Sequence, residues 1–296
     1  VTATITREQA PETEQEPGEP SARRPMPFAT KVVTQALVTL AVGALGFVLY
    51  LVVISPIQQD RDQEILYAQL REELAAATAP TGGAIEAGHP IALLRIPGIE
   101  LNQVMVEGTS GAELTAGPGH RRDTPLPGQG GVSVVYGRSS TFGAPFERIA
   151  GLQQGDQITV TTAQGQFEYK VDGVRRDGDP APPAPAKGSG RLTLVTAEDG
   201  ESHMVFLDAT LVGNAAPIPA GRPRIIPPQE KAMASDTGAF IPLVIWLQVL
   251  GLALTAIVWA RNRWGKWETY VAGTPIALAV VWILYENLGR VLPNLL

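Results

Sequence analysis

Two kinds of hydrophobic patterning divide the chain. Three long apolar runs, Val32 to Ile54, Phe240 to Ala260 and Tyr270 to about Leu288, flank a central region of short apolar stretches broken by Gly and Pro. No charged residue interrupts the first run, and a helix of that length crosses a hydrocarbon core of about 30 Å. The second run has the same character. The third carries Pro275 and Glu286 and is the weakest of the three. Between them, Ile91 to Ile96, Gln103 to Glu107, Gly131 to Tyr136, Gln157 to Thr162, Gln166 to Arg175, Arg191 to Thr196 and His203 to Val212 are β-rich. Several alternate apolar and polar residues, as in Ile158-Thr159-Val160-Thr161 and Phe167-Glu168-Tyr169-Lys170-Val171, the period of a half-buried strand. Ala163-Gln164-Gly165 reads as the turn of a hairpin. About seven strands over some 120 residues predict a β-sandwich or a closed barrel, and periodicity does not choose between them.

The remaining segments connect these blocks. Gln58 to Ala77 places Ile65, Leu66, Ala68, Leu70 and Leu74 among many charges without Gly or Pro, predicting a helix that lifts the β-domain off a membrane or packs beside it. Thr78 to Gly88 reads as a hinge, and the Pro-rich stretch Pro217 to Pro228 as an extended linker. The expected organisation is a disordered cytoplasmic tail (1–31), a first span (32–55), a juxtamembrane helix and hinge (56–88), the β-domain (89–214), a linker (215–238), a second span (239–260), a cytoplasmic loop (261–269), a third span (270–290) and a C-terminal end (291–296). The tail is rich in Thr, Glu, Pro and Gln and too poor in large apolar side chains to fold alone.

Charge sets the expected orientation. Arg23, Arg24 and Lys31 precede the first run, whereas Asp60, Asp62 and Glu64 accompany Arg61 after it, so the positive-inside rule places the N-terminus in the cytoplasm. Arg261, Arg263 and Lys266 put the loop between the second and third runs on the same side. Both assignments agree only if the β-domain is extracytoplasmic, in a multi-pass protein of the cell membrane. The first run exceeds the roughly 7 to 15 apolar residues of a signal peptide, and Ile54-Ser55-Pro56 lacks a small-x-small cleavage site, which favours an uncleaved anchor. The net charge of −6, without a basic patch interleaved with aromatics, argues against nucleic-acid binding. The 296 residues include no cysteine, so neither a disulfide nor a thiol nucleophile is available.

The chemistry-bearing motifs lie in the β-domain. Gly117-Pro118-Gly119-His120, Leu126-Pro127-Gly128-Gln129-Gly130-Gly131, the segment Val134 to Phe146 ending in Gly143-Ala144-Pro145-Phe146, Gly155-Asp156, and Thr193-Leu194-Val195-Thr196 occur in that order. Each is weak alone, but their order and spacing between Ile91 and Val212 resemble the class E sortases. The resemblance implies an eight-stranded sortase-like closed β-barrel, making the fold mainly β with three transmembrane helices. It also implies an active-site strand Thr-Leu-x-Thr-Cys, a catalytic histidine and an arginine that stabilises the oxyanion. Here the cysteine position is Ala197. The histidine position, aligned on Gly-Ala-Pro-Phe, is Arg138, whose guanidinium stays protonated and cannot shuttle a proton. The arginine position is Met204, with His203 an alternative. Three losses at three separated positions imply a naturally degenerate member. Val1 and the Ala, Gly and Pro bias fit a GTG start in a GC-rich actinobacterial genome, a setting in which class E sortases are common.

Each candidate site residue has two readings. Arg138 is expected to clamp a carboxylate of a peptide or another subunit, or to pair with a neighbouring acid. His120 reads as a hydrogen-bonded turn residue or a ligand contact. Thr196, Ser139 or Ser140 with His203 would form a substitute hydroxyl nucleophile and base, for which no oxyanion donor is evident. The segment Arg175 to Gly190, with Asp177, Asp179 and four prolines from Pro180 to Pro185, lines a peptide groove or is a stiff surface loop. Glu198-Asp199-Gly200-Glu201 is a solvated turn or, less favoured, a calcium site. In the third run, Glu286 and Arg290 share a helix face and are placed to pair, beside Asn287. Small residues including Gly251, Ala253, Ala272, Gly273 and Ala277 suit close helix contact, and Glu286, Arg290, Gly251 and Gly273 are candidate contacts to a membrane partner. The expected function is a non-catalytic binding or scaffold subunit of a cell-envelope membrane complex, without cofactor or metal. An ABC-type exporter is one such partner, named from topology with no motif behind it. The alternatives are a receptor for an extended sorting-type peptide and a residual hydroxyl-dependent peptidase or transpeptidase.

Overall fold

The computed structural model describes residues 28–198, 203–263 and 265–296. Helix α1 (Phe28–Leu49) continues through a π-helical turn (Tyr50–Ile54) into α2 (Ser55–Ala75). Three helical stretches, Thr30–Ala75, Thr237–Arg263 and Lys266–Val291, are long and apolar enough to cross a membrane by length and composition. The last two contain α4 (Phe240–Arg263) and α5 (Lys266–Val291). Their apolar side chains face outward, as at Leu252, Val271 and Ile276.

The β-domain is a closed eight-stranded barrel: β1 (Pro90–Ile96), β2 (Leu101–Glu107), β3 (Gly119–His120), β4 (Gly131–Tyr136), β5 (Gln157–Thr162), β6 (Gly165–Arg176), β7 (Gly190–Ala197) and β8 (Met204–Val212). Around the barrel the order is β1-β2-β3-β4-β7-β8-β6-β5. The pairs β2·β3 and β4·β7 are parallel, and the others are antiparallel. Closure settles the choice that periodicity left open. The eighth strand, β3, falls in the Gly-Pro-Gly-His segment that reads as a turn. Two residues pairing with both β2 and β4 give too short a stretch for alternation to register.

Alternation in β4, β7 and β8 separates two faces. Val135, Leu192, Leu194, Leu207, Ala209 and Leu211 point into the barrel core with Ile91, Leu94, Phe146 and Tyr169. Tyr136, Val195 and Ala197 belong instead to a second cluster on the outer side of the wall, which also takes in Val134, Met204 and Phe206. That outer face positions the candidate site.

Helix α2 packs beside the barrel. Leu70 is buried with Leu93 and Val104, and Leu66 and Leu74 flank them. Gln63 adds polar specificity, its Nε2 donating to Val104 O (3.1 Å) and Ala116 O (2.8 Å) while its Oε1 accepts from Val104 N (2.7 Å). Two connections expected as a free hinge and an extended linker are seated on the barrel. In the first, Ala79 and Ile85 are buried and Thr81 O accepts from Gln129 Nε2. In the second, Arg222 reaches the buried pair Glu107 and His120. Arg122 and Glu230 also pair, and Glu230 is buried; that burial raises its carboxyl pKa above the ordinary value, the neighbouring Arg122 opposing the shift.

Gln63→Ala removes three hydrogen bonds and strands Val104 N–H against the helix. The expected loss is about 1–3 kcal/mol, read as a lower Tm in detergent. Gln69→Ala, which breaks only the local contact with Glu73, shifts stability by less than about 0.5 kcal/mol.

Candidate functional site

Ala197 ends β7 and Met204 begins β8 directly opposite it, so the positions that the resemblance assigns to the cysteine and the arginine are cross-strand partners. Gly137 and Arg138 follow β4, the parallel neighbour of β7. The fold therefore brings together the three positions that the sequence resemblance singles out. The outer cluster between them is closed by Leu114 of the short helix α3 (Glu113–Ala116), by Ala232 and Met233 of the connection to α4, and by Leu295.

Leu295 belongs to residues 292–296, a strap that follows α5 and covers this cluster, its last four residues closed as a turn by Leu296 N donating to Pro293 O (3.1 Å); the groove is the outer face that the strap covers. Leu295 and Asn294 are both fully buried. The Leu295 carbonyl accepts from Ser139 N (2.9 Å) and Ser139 Oγ (3.2 Å). Asn294 Nδ2 donates to Thr109 O (2.7 Å) and Lys231 O (3.0 Å), and its backbone N–H donates to Ala234 O (3.0 Å). The Leu296 carbonyl accepts from Arg138 Nη1 (3.1 Å) and Thr141 Oγ1 (2.5 Å). No sequence signal marked this segment, because five residues after a span carry no periodicity. Only the folded chain shows Leu295 packed in one cluster with Ala197.

Arg138 is the largest fully buried side chain. Its Nε donates to Leu114 O (3.2 Å), Nη2 to Gly111 O (3.1 Å), and Nη1 to Thr141 Oγ1 (3.1 Å) as well as to Leu296 O. The guanidinium also lies 4.7 Å from the centre of the Phe142 ring. Its acceptors are the main-chain oxygens of Gly111, Leu114 and Leu296 and the Thr141 hydroxyl, with no Asp or Glu side chain among them. Burial in this setting pulls the guanidinium down to about 10, with Tyr50 acting in the opposite sense, and it remains charged at neutral pH.

The loop that carries Arg138 turns through three residues with positive φ, Phe142 (49°), Gly143 (72°) and Ala144 (43°). For the bulky Phe142 this conformation is costly and needs surrounding structure to hold it. Its N–H donates to Ser55 Oγ (3.0 Å), and its ring meets Tyr50 edge-on at 6.4 Å. A Cβ added at Gly289 of α5 would lie 3.0 Å from Phe142 Cζ, and one at Gly111 would lie 2.6 Å from Arg290 O. The C-terminal end of α5 is therefore seated directly on the loops that hold Arg138.

The other candidates separate from this centre. Thr196 Oγ1 donates to Gly137 O (2.8 Å), and Ser139 Oγ is committed to Leu295 O, so both hydroxyls serve backbone acceptors. His203 precedes β8 and its carbonyl accepts from Glu198 N; Ser140 is exposed. His120 is fully buried between Glu107 Oε2 (3.0 Å) and Pro125 O (2.9 Å) and joins Arg222 to the barrel. Residues 177–187 form an exposed loop, with Pro183 O accepting from Arg191 (2.9 Å). Of the proposed calcium segment, Asp199, Gly200 and Glu201 lie outside the described residues, and Glu198 pairs with Arg176. Among the described residues no cluster of acids or histidines suits a metal. In the helical hairpin, Glu286 and Arg290 do pair (3.1 Å). Gly273 is packed against Ile257 of α4, so its small size serves the hairpin itself. Gly251 is exposed, with nothing within 4 Å of an added Cβ.

Comparison with known proteins bears on residues 94–210, which match a family model of the sortase domain. The chain is 34% identical over 86 residues to sortase D of Bacillus subtilis, covering 29% of this chain and 42% of that protein. It is 30% identical over 185 residues to sortase SrtE1 of Streptomyces coelicolor, covering 57% and 52%. The chain thus spans about half the length of the curated relatives it matches. Similar solved structures include a sortase D5 transpeptidase of Clostridium perfringens (TM-score 0.43, 24% identity, 52% of this chain and 98% of that one) and sortase E of Streptomyces avermitilis (TM-score 0.38, 28% identity, 44% and 91%).

In this cysteine-free chain, Ala197→Cys reports on the strap. The thiol is expected to alkylate slowly in the full chain and at least about tenfold faster when Asn294→Ala and Leu295→Ala weaken the strap, since thiol reactivity requires access. Equal rates in the two proteins would show that the strap does not cover position 197.

Proposed function

We propose that residues 94–210, which match the sortase domain and are read here as class E-like, act without catalysis, as a binding and scaffold module of a cell-envelope membrane complex. Members of the sortase family are transpeptidases, so the inactive state is the departure to be justified. The observation that carries it is the coincidence, at one place in the fold, of Ala197, Arg138 and Met204 where the resemblance puts the nucleophile, the base and the oxyanion donor. A methyl group supplies no nucleophile. A fully buried guanidinium that spends four hydrogen bonds on the protein's own oxygens supplies no base. Met204 offers no hydrogen to a developing oxyanion.

The scaffold part of the reading rests on the helices. Helices α4 and α5 add apolar surface beyond what one anchor needs to tether a domain, and the exposed face around Gly251 is available to another integral membrane protein. In this reading the N-terminus is cytoplasmic and the barrel extracytoplasmic, as the charge flanks require. A transporter of the ABC exporter type remains one partner to look for. The peptide-receptor alternative is favoured by one specific observation: the face beside Ala197 already holds a short peptide segment, the chain's own, folded as a turn.

Two measurements test the reading. An acylating active-site probe is expected to leave Thr196, Ser139 and Ser140 unlabelled, and Ala197→Cys alone is expected to leave transpeptidation at background, because the missing general base is worth about 10²–10⁴-fold. Covalent labelling, or turnover restored by the single thiol, would refute the non-catalytic assignment. Purification from native membranes in mild detergent is expected to yield a stoichiometric integral membrane companion; recovery of the chain alone under conditions that preserve known complexes would remove the scaffold part.

A further inference from the structure

The groove and α5 are joined by very little chain. Helix α5 ends at Val291, and three residues later Asn294 is already buried in the groove. Nothing between them is long enough to absorb a displacement of the helix, since each residue spans at most about 3.3–3.6 Å. The grip on the strap is also mostly a grip on main chain. Ser139 N–H, Ser139 Oγ, Arg138 Nη1 and Thr141 Oγ1 all hold carbonyl oxygens of residues 295 and 296, and donors aimed at carbonyls do not read side chains. Only the Leu295 pocket and the two carbonyl acceptors of the Asn294 amide select a sequence. The fit is incomplete, because Asn294 Oδ1 is buried without a hydrogen-bond partner, which weakens the seat that the strap takes.

We propose that residues 292–296 are a latch: they close the groove beside Ala197 against a short peptide segment able to fold as the same turn and place an oxygen at Arg138, and a shift of α5 away from the Arg138 loop withdraws them and opens it. The latch has an identifiable bearing surface. Gly289 lies on Phe142, and Gly111 lies on Arg290 O, so lifting the end of α5 frees the two loops that supply Phe142 and Gly111. Phe142 stacks under Arg138, and Gly111 O is one of its acceptors. Helix position and groove occupancy are thereby coupled through one loop, and a membrane partner that binds the hairpin differently in two states would bias the groove. While latched, the strap competes at the high effective concentration of a tethered ligand, so a free peptide of the same sequence binds poorly. The proposal rests on the reading of the barrel as a non-catalytic binding module.

The test uses a fluorescent peptide with the sequence of residues 291–296, Val-Leu-Pro-Asn-Leu-Leu, and the full chain in detergent micelles, with binding read by anisotropy. Gly289→Leu drives a side chain into Phe142, and no strap residue lies within 4 Å of the added Cβ. It is expected to bind the peptide at least tenfold more tightly than the wild type. Asn294→Ala with Leu295→Ala, which weakens the latch directly, should do the same, and adding Arg138→Ala should abolish the gain in both backgrounds. If the latch-weakened protein binds and the Gly289 variant does not, the coupling to α5 is overturned. If neither variant binds more tightly than the wild type, the latch is overturned while the non-catalytic reading stands. A covalent peptide adduct, detected by mass spectrometry of the same samples, overturns the non-catalytic reading instead.

Discussion

A buried positive charge with no Asp or Glu side chain as its partner organises the site. Desolvating a guanidinium costs several kcal/mol unless its donors are met, and Arg138 meets most of that demand with main-chain oxygens from two separate parts of the chain, Gly111 with Leu114 around α3 and Leu296 after α5, with Thr141 alongside. Each contact is modest, yet together they fix the loop after β4, helix α3 and the strap in one arrangement. The position that the family resemblance assigns to a proton-shuttling imidazole is held here by a group that cannot release its proton at neutral pH, and four of its hydrogen bonds go to the loop, α3 and the strap.

That closure ties the barrel to the helices. Tyr50 lies 6.4 Å from Phe142 and 6.0 Å from Trp282, both edge-on, and Tyr285 lies 5.9 Å from Tyr50 and 5.5 Å from Phe47. These rings converge where the π-helical turn leads into α2, and the same junction supplies Ser55, whose hydroxyl donates to Leu51 O and accepts from the Phe142 N–H. A π-turn commonly marks a functional or strained place in a helix. Here it sits beside a phenylalanine held at positive φ, and the strain in that residue is balanced by packing from α5 at Gly289.

The fold was largely legible because its signals are periodic. Seven of the eight strands announced themselves by alternation or by β-branched runs, and the family resemblance supplied the closure that alternation could not. The two-residue β3 escaped, as an element without a period must. In the site, the three positions that the resemblance assigns to catalysis could be named because motif order fixes them just after β4, at the end of β7 and at the start of β8. Their environment could not be read. Arg138 promises an acid by its charge, and nothing local reveals that carbonyls would be brought to it from residues 111, 114 and 296. The strap was invisible for the same reason: its grip depends on contacts between residues more than 150 positions apart, such as Ser139 with Leu295 and Thr141 with Leu296. Glu286 with Arg290 was legible because helix geometry alone places them together.

The central claim is that the groove beside Ala197 is occupied by the chain's own residues 292–296. Amide hydrogen exchange at Ser139 tests it most directly, because that N–H donates to the Leu295 carbonyl, whereas the neighbouring Gly137 N–H donates to Val195 O inside the barrel sheet. In the intact protein both amides are expected to exchange slowly, and weakening the strap should release Ser139 alone, leaving Gly137 protected. Fast exchange at Ser139 in the intact protein, with Gly137 protected, would mean that the groove stands open, and the account would be wrong at its centre.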